Sequence, residues 1–304
     1  MRVIRDLSRT YNFGNLSIAL GNFDGIHIGH KKIIQATVNM AKQSHGCAAL
    51  FTFYPHPLKV LGGSNEPFII QTFKEKMQIV NQMGIDMVVC AKFSKEFADM
   101  HPEVFVKDIL VNSLKVSNVF VGYDYTFGKS GKGTVNSLRN YAKKYGFNVH
   151  IVPPVKIDGI IVSSSKIREF LRNGEIRAAN LFLGRNYTIT GVVRRGDERG
   201  RMLGFPTANI YPRNEILLKN GVYAAYVYIN DKKYKGAVNI GSNPTFSGVD
   251  VHIEAFIFDF NKDIYGEKIT IEFVDFLREE IKFKNISDLI KRIKLDIKES
   301  KRLL

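Results

Sequence analysis

Two histidines three positions apart, His27 and His30, end a glycine-rich stretch from Gly21 to His30 that reads G-N-F-D-G-I-H-I-G-H. Ring N–H donors beside Gly21, Gly25 and Gly29 suit a phosphate, and they suit charge that grows on a phosphate during transfer. H-x-x-H alone could also be a metal pair or a plain surface pair. No Cys or third His lies close by in the sequence to complete a metal set.

Such a stretch needs a rigid frame, and its flanks provide one. Residues 16–20 are an apolar run that reads as a buried strand. Residues 31–43 carry Ile33, Ile34, Val38 and Ala41 at near-helical spacing. The result is a strand–loop–helix corner, in which the helix start aims unpaired N–H groups and its positive dipole end at the loop. Strand patterns follow at 47–53, 85–90, 117–121 and 148–152, with helical patterns near 72–84 and 103–113 and a helix closing at 141–146. This alternation predicts a parallel α/β sheet.

Further chemistry-bearing residues sit at the ends of these elements. Thr52 to Pro57 reads T-F-Y-P-H-P, which holds His56 at the carboxyl end of a strand, where open parallel sheets place ligands. On its own it reads as a rigid turn. Gly122 to Gly133 puts Tyr125 and Phe127 beside Asp124 in a second glycine-rich loop. Rings there could stack on a flat heterocycle and Asp124 could accept its hydrogen bonds, although a simple glycine turn explains the pattern equally well. Ser163, Ser164 and Ser165 open a helix that also carries Lys166 and Arg168. Serines alone indicate an ordinary cap, whereas hydroxyls, N–H groups and cations together suit the β and γ phosphates of ATP.

From Tyr187 the texture changes. Short alternating strands at 187–193, 222–229, 234–239, 252–258 and 268–273, with turns at Asn230–Asp231 and Gly241–Pro244, predict a small antiparallel barrel. A terminal amphipathic helix follows, with Ser287 as its expected cap. Its stripe of Ile286, Leu289, Ile290, Ile293 and Ile297 is expected to pack as core. Within the barrel, Gly196, Gly200 and Gly204 are interleaved with basic residues ahead of P-T-A-N, a phosphate-loop composition without the Walker ending. Taken alone, P-T-A-N reads as a turn. Glu254 lies among Ile253, Phe256 and Phe258; a carboxylate there could take a proton from a hydroxyl, though a lone glutamate reads first as surface.

At 304 residues and 45% hydrophobic content the chain has room for two cored domains. Its formal net charge of +15 raises nucleic acid as a partner. The lysines are spread along the chain, however, and no helix-turn-helix, zinc-finger or RNA-recognition pattern occurs, so anionic small molecules explain the sign as well. No stretch has the apolar length to span a bilayer, and the N-terminus lacks a secretion-signal core. Cys47 and Cys90 read as core residues. A cytoplasmic protein with no membrane partner, monomeric or weakly self-associating, is expected.

The string G-N-F-D-G-x-H-x-G-H resembles the adenylyltransferase half of the prokaryotic bifunctional riboflavin kinase/FAD synthetase family, within the nucleotidylyltransferase superfamily. T-F-x-P-H-P, G-x-D-x-x-F-G and V-S-S-S-K-I-R resemble its next motifs, the last with Ser165 where the family has Thr. G-x-P-T-A-N resembles the riboflavin kinase signature. E-A-F-I-F-D-F and D-I-Y-G resemble its later part, with Phe256 where many members carry His. The resemblance implies a Rossmann-like domain over 1–184 and a riboflavin kinase barrel with a C-terminal helix over 185–304. The implied substrates and products are riboflavin, FMN, FAD, ATP, ADP and pyrophosphate, with Mg²⁺ as cofactor. It implies that Gly21, Phe23, Asp24, Gly29, Ser163, Ser164, Ser165, Lys166, Arg168, Gly196, Gly200 and Gly204 line ATP phosphates, with His27 and His30 acting at the α phosphate. It also implies that Thr207 and Asn209 hold Mg²⁺ and phosphates, that Glu254 is the kinase base, and that His56, Asp124, Tyr125, Phe127 and Arg278 border flavin. Three alternatives stand beside this reading: a monofunctional adenylyltransferase with an inactive barrel, a transferase for pantetheine or nicotinate phosphates, and a basic nucleic-acid-binding regulator.

Overall fold

Strand β2 (Leu16–Leu20) is wholly buried and is the axis of the first unit. In the computed structural model the chain is described except for residues 63–66, 197–198, 216 and 246–247 and the side chains of 199, 201, 243–245 and 248–250. Asp197 and Glu198 of the expected phosphate loop therefore lie outside the described residues. Contacts divide the chain into Met1–Glu66 with Phe73–Val162, and Pro67–Thr72 with Ser163–Leu304.

The first unit is built on β1 (Arg2–Ile4), β2, α1 (Ile28–Gln43), β3 (Ala48–Tyr54), α2 (Pro57–Leu61), α3 (Phe73–Gln82), β4 (Met87–Lys92), β5 (Val116–Gly122), α4 (Val135–Tyr145) and β6 (Asn148–Val152). The strands form one parallel sheet in the order β1-β4-β3-β2-β5-β6. Side chains alternate across it: Leu16, Ile18 and Leu20 enter one core cluster, and Ala19 enters the other. Burial on both faces is why these strands read as unbroken apolar runs. α1 buries Ile33, Ile34, Thr37, Val38 and Ala41. Each large apolar side chain among them contributes about 1.5–3 kcal/mol, far more than helix propensity does. The helix expected at 103–113 is a short α turn, Pro102–Val104, running into a π-helix at Phe105–Ser113. Cys47 and Cys90 are both free thiols, the second buried in β4.

The second unit begins with α5 (Ser164–Asn173) and α6 (Ile176–Leu183). Six strands then close an antiparallel barrel: β7 (Tyr187–Arg194), β8 (Ala208–Pro212), β9 (Gly221–Ile229), β10 (Lys232–Thr245), β11 (Gly248–Ile257) and β12 (Lys268–Arg278), in the order β7-β8-β11-β10-β9-β12. Helix α7 (Ile286–Leu303) ends the chain. Three local expectations need correction. Ala208–Asn209 open strand β8, because their backbone pairs with Ala255 and Glu254. Gly241–Pro244 lie inside β10, paired with 249–252, so no turn forms there. The cap of α7 is Asn285, whose side chain accepts from the Asp288 N–H at 2.9 Å; Ser287 falls in the first turn, too late to cap.

Barrel closure sets which face of β11 does what. Ile253, Ala255 and Ile257 are buried in the interior, while Glu254 and Phe256 alternate with them on the opposite, half-buried face.

Candidate functional sites

In the first unit, the backbone turns sharply after β2. Phe23 (φ 51), Gly25 (φ 83) and Ile26 (φ 37) are all left-handed. Glycine takes that conformation freely; for Phe and β-branched Ile it costs on the order of 1–3 kcal/mol each. The surrounding structure therefore holds the corner in place. His27 caps α1: its Nδ1 accepts from the His30 N–H at 3.2 Å, which leaves Nε2 as the proton-bearing donor in the neutral ring. The His27 and His30 rings stack at 3.6 Å between centroids, and the Phe23 ring lies against His30 at 5.1 Å. A Cβ on Gly29 would come 3.1 Å from the His27 ring, and one on Gly21 would come 3.1 Å from the Phe23 ring. The two glycines thus make room for the rings. Asp24 is buried in the same loop.

Behind the corner stands a polar brace. The Asn22 carbonyl accepts from Thr52 Oγ1 at 3.0 Å and Lys76 Nζ at 2.7 Å, and the Asn22 amide bonds the His56 ring. His56 also caps α2, its Nδ1 accepting from the Leu58 N–H. His56 is thus committed to framing the corner. Nothing in the sequence marks the buried position of Lys76, because a lysine on an amphipathic helix reads as solvent-facing.

The second glycine loop divides by depth. Asp124 is exposed, whereas Phe127 is buried, tilted against Phe105 at 5.7 Å and stacked on Tyr125 at 5.7 Å. Phe127 anchors the loop in the core. At the start of α5, Ser163 Oγ accepts from the Lys166 N–H at 3.2 Å as the cap. Ser164 and Ser165 occupy the first turn, Lys166 pairs with Glu169 at 2.6 Å, and Arg168 donates to the Phe68 carbonyl at 2.6 Å.

In the barrel, cross-strand register assembles what the sequence scatters. Glu254 on β11 is flanked by Asn209 on β8 and by Asn239 on β10. A cavity of about 310 Å³ is lined by Thr207, Asn239, Glu254, Phe256, Arg278 and side chains of α7 that include Leu289, Ile293 and Ile297. The α7 stripe is therefore a cavity wall, with Ile286 exposed, and not the close-packed core expected of it. Phe256 extends that wall edge-on to Phe205 and Phe258. Arg278 is bonded through Nε and Nη2 to Asp296 of α7 at 2.7–3.0 Å. Arg292 joins the same carboxylate at 2.9 Å. Arg278 thus ties the helix over the cavity. V-N-I-G carries no motif that marks Asn239; only the pairing of β10 with β11 places it beside Glu254.

A second cavity, of about 440 Å³, is lined by Gly196, Thr207, Asn209, Asp263 and Tyr265 among others, so Thr207 borders both. A Cβ on Gly196 would fall 2.2 Å from the Asn209 amide, and one on Gly200 would fall 2.4 Å from the Phe205 carbonyl and 3.2 Å from Thr207 Oγ1. Gly204 is left-handed (φ 88). These glycines leave a cradle in which the loop backbone approaches Thr207 and Asn209. A hydroxyl and an amide oxygen beside such a cradle are hard-oxygen donors, which fits Mg²⁺ shared with a polyphosphate.

Comparisons with known proteins agree with this two-part layout. An FAD synthetase family model matches residues 11–166 and a riboflavin kinase model matches 183–304. The bifunctional riboflavin kinase/FMN adenylyltransferase of Bacillus subtilis is 38% identical over 289 residues, covering 93% of this chain and 90% of that protein. The Escherichia coli K12 protein of the same name is 31% identical, with 97% and 95% covered. A solved structure from Streptococcus pneumoniae, described as a macrolide-efflux protein, superposes with a TM-score of 0.89 at 30% identity over 99% of both chains. No helix among the described residues of the present chain is long and apolar enough to cross a membrane. The chain belongs to the bifunctional riboflavin kinase/FMN adenylyltransferase family.

Proposed function

We propose that the chain phosphorylates riboflavin to FMN in its barrel and adenylylates FMN to FAD in its N-terminal domain. The observation that carries the kinase reading is the shared wall. One cavity is apolar along α7 and holds Glu254 and Gly200; its neighbour holds Gly196 and Asn209; Thr207 borders both. A flat ring in the first and a polyphosphate in the second would meet beside Glu254. Glu254 takes the proton of the ribityl 5′-hydroxyl as its oxygen bonds the γ phosphorus, and the bridging oxygen leaves with ADP. Thr207 and Asn209 would hold Mg²⁺, which when bound offsets negative charge on the phosphates. Positioning and electrostatics supply most of the acceleration in such transfers.

In the adenylyl step an oxygen of the FMN phosphate attacks the α phosphorus of ATP, and pyrophosphate leaves. No enzyme nucleophile is required. His27, His30 and the start of α1 supply donors for the charge on the α phosphate. Ser164, Lys166 and Arg168 are assigned to the pyrophosphate by their motif. We place the functional boundary between residues 184 and 185. The free thiols Cys47 and Cys90 suit a reducing compartment such as the cytoplasm.

Incubation with riboflavin, ATP and Mg²⁺ followed by chromatography tests this directly. FMN should appear first and FAD after it. FAD formed only from added FMN would favour a monofunctional adenylyltransferase, and no turnover with salt-dependent nucleic-acid binding would favour the regulator.

A further inference from the structure

We propose that Lys76 is a positioning residue for adenylyl transfer, its buried ammonium clamping the Asn22 carbonyl and so fixing the corner that presents His27 and His30. The proposal rests on the adenylyltransferase reading of the first unit. Lys76 projects from α3 and is 6% exposed, and Nζ reaches the Asn22 carbonyl at 2.7 Å and Thr52 Oγ1 at 3.4 Å. A lysine is rarely buried so deeply without a carboxylate bonded to it. Here its bonded partners are a backbone oxygen and a hydroxyl.

Two consequences follow from that placement. Asn22 immediately precedes left-handed Phe23, Gly25 and Ile26, so its carbonyl is the last anchored acceptor before the strained turn. β3 holds it through Thr52, the α2 cap holds its amide through His56, and α3 holds it through Lys76. A positive charge is also fixed directly behind a loop read as an anion site, in low-dielectric surroundings where it is felt strongly. The titratable groups around the ammonium are Asp24 in the loop, Cys90 on β4 and His56 across Asn22. Burial pulls the Lys76 ammonium down to about 8, and Asp24 and Cys90 oppose that shift. Its charge is therefore present at neutral pH and lost within an accessible range.

The test uses the full chain and follows FMN-to-FAD conversion and riboflavin phosphorylation side by side. K76M should lower kcat/KM for FMN adenylylation at least 30-fold at pH 7.5, leave riboflavin phosphorylation within twofold, and melt no lower than wild type. In wild type, adenylylation should fall with a midpoint near pH 8. K76R keeps its charge and should hold activity to higher pH, whereas K76M should show no such midpoint. K76M within threefold of wild type, or the same alkaline midpoint in K76R or K76M, would overturn the proposal. Should K76M fail to fold, the wild-type and K76R profiles decide. A wild-type chain that makes no FAD from FMN would remove the functional reading as well; a wild type that makes FAD and a K76M that makes it within threefold of the same rate remove this proposal alone.

Discussion

At the His27 corner the backbone does the shaping. Three residues are left-handed, the polar groups behind them are buried, and the His27 ring spends one nitrogen on capping a helix. In the barrel the backbone is regular strand. There register pairs Asn209 with Glu254, and Thr207 stands just before the strand that carries Asn209. Glu254 opens into a cavity whose far wall is a helix, Asn209 opens into its neighbour, and Thr207 borders both. The contrast fits the two chemistries proposed. Adenylyl transfer needs no enzyme base, so its residues serve as fixed donors. Phosphorylation of a hydroxyl needs a proton acceptor beside an accessible alcohol, so its carboxylate stands at a cavity edge.

Substitutions should separate the two regions. The largest effect expected is from E254Q, which should slow riboflavin phosphorylation by about 10³-fold and leave FMN adenylylation untouched. H30A should do the reverse, by about 10²-fold, in a steady-state assay with FMN as substrate. D296N removes the charge that holds Arg278 and Arg292. It should destabilise the barrel by about 3 kcal/mol in a denaturant titration and raise the riboflavin KM more than it lowers kcat. G196A forces a Cβ to within 2.2 Å of the Asn209 amide. It should cost about tenfold in kinase kcat/KM, or about 1.4 kcal/mol, while the adenylyl rate stays at the wild-type value.

The smallest effect sharpens the contrast through pH. Lys76 is pulled from 10.5 to about 8 in the folded chain, so between those values the unfolded state binds more protons and stability rises with pH. The first unit should gain about 1 kcal/mol from pH 8 to pH 9 in denaturant titrations of wild type but not of K76M. Its adenylyl activity should fall over the same range.

Legibility in the sequence also differed between the regions. The parallel sheet was readable from apolar runs, since burial on both faces leaves an unmistakable pattern. The corner was readable from its glycines and histidines. Its brace was not: Lys76 and Thr52 lie far away in sequence, and only the fold brings them to Asn22. In the barrel, Thr207, Asn209 and Glu254 each stand in a motif that makes them candidates, whereas Asn239 does not, because its place beside Glu254 is set by cross-strand register, a tertiary fact. At Phe127 an aromatic in a glycine loop does not by itself reveal its depth: the ring is buried, stacked on Tyr125 and tilted against Phe105. A turn composition misled at Gly241–Pro244, where ladder pairing overrides local preference.

The central claim, two separable active sites in one chain, is tested most directly by mixing E254Q and H30A with riboflavin, ATP and Mg²⁺. Alone, E254Q should make neither FMN nor FAD, and H30A should stop at FMN; together they should yield FAD. A mixture that stops at FMN, or an H30A protein that makes no FMN, would contradict it.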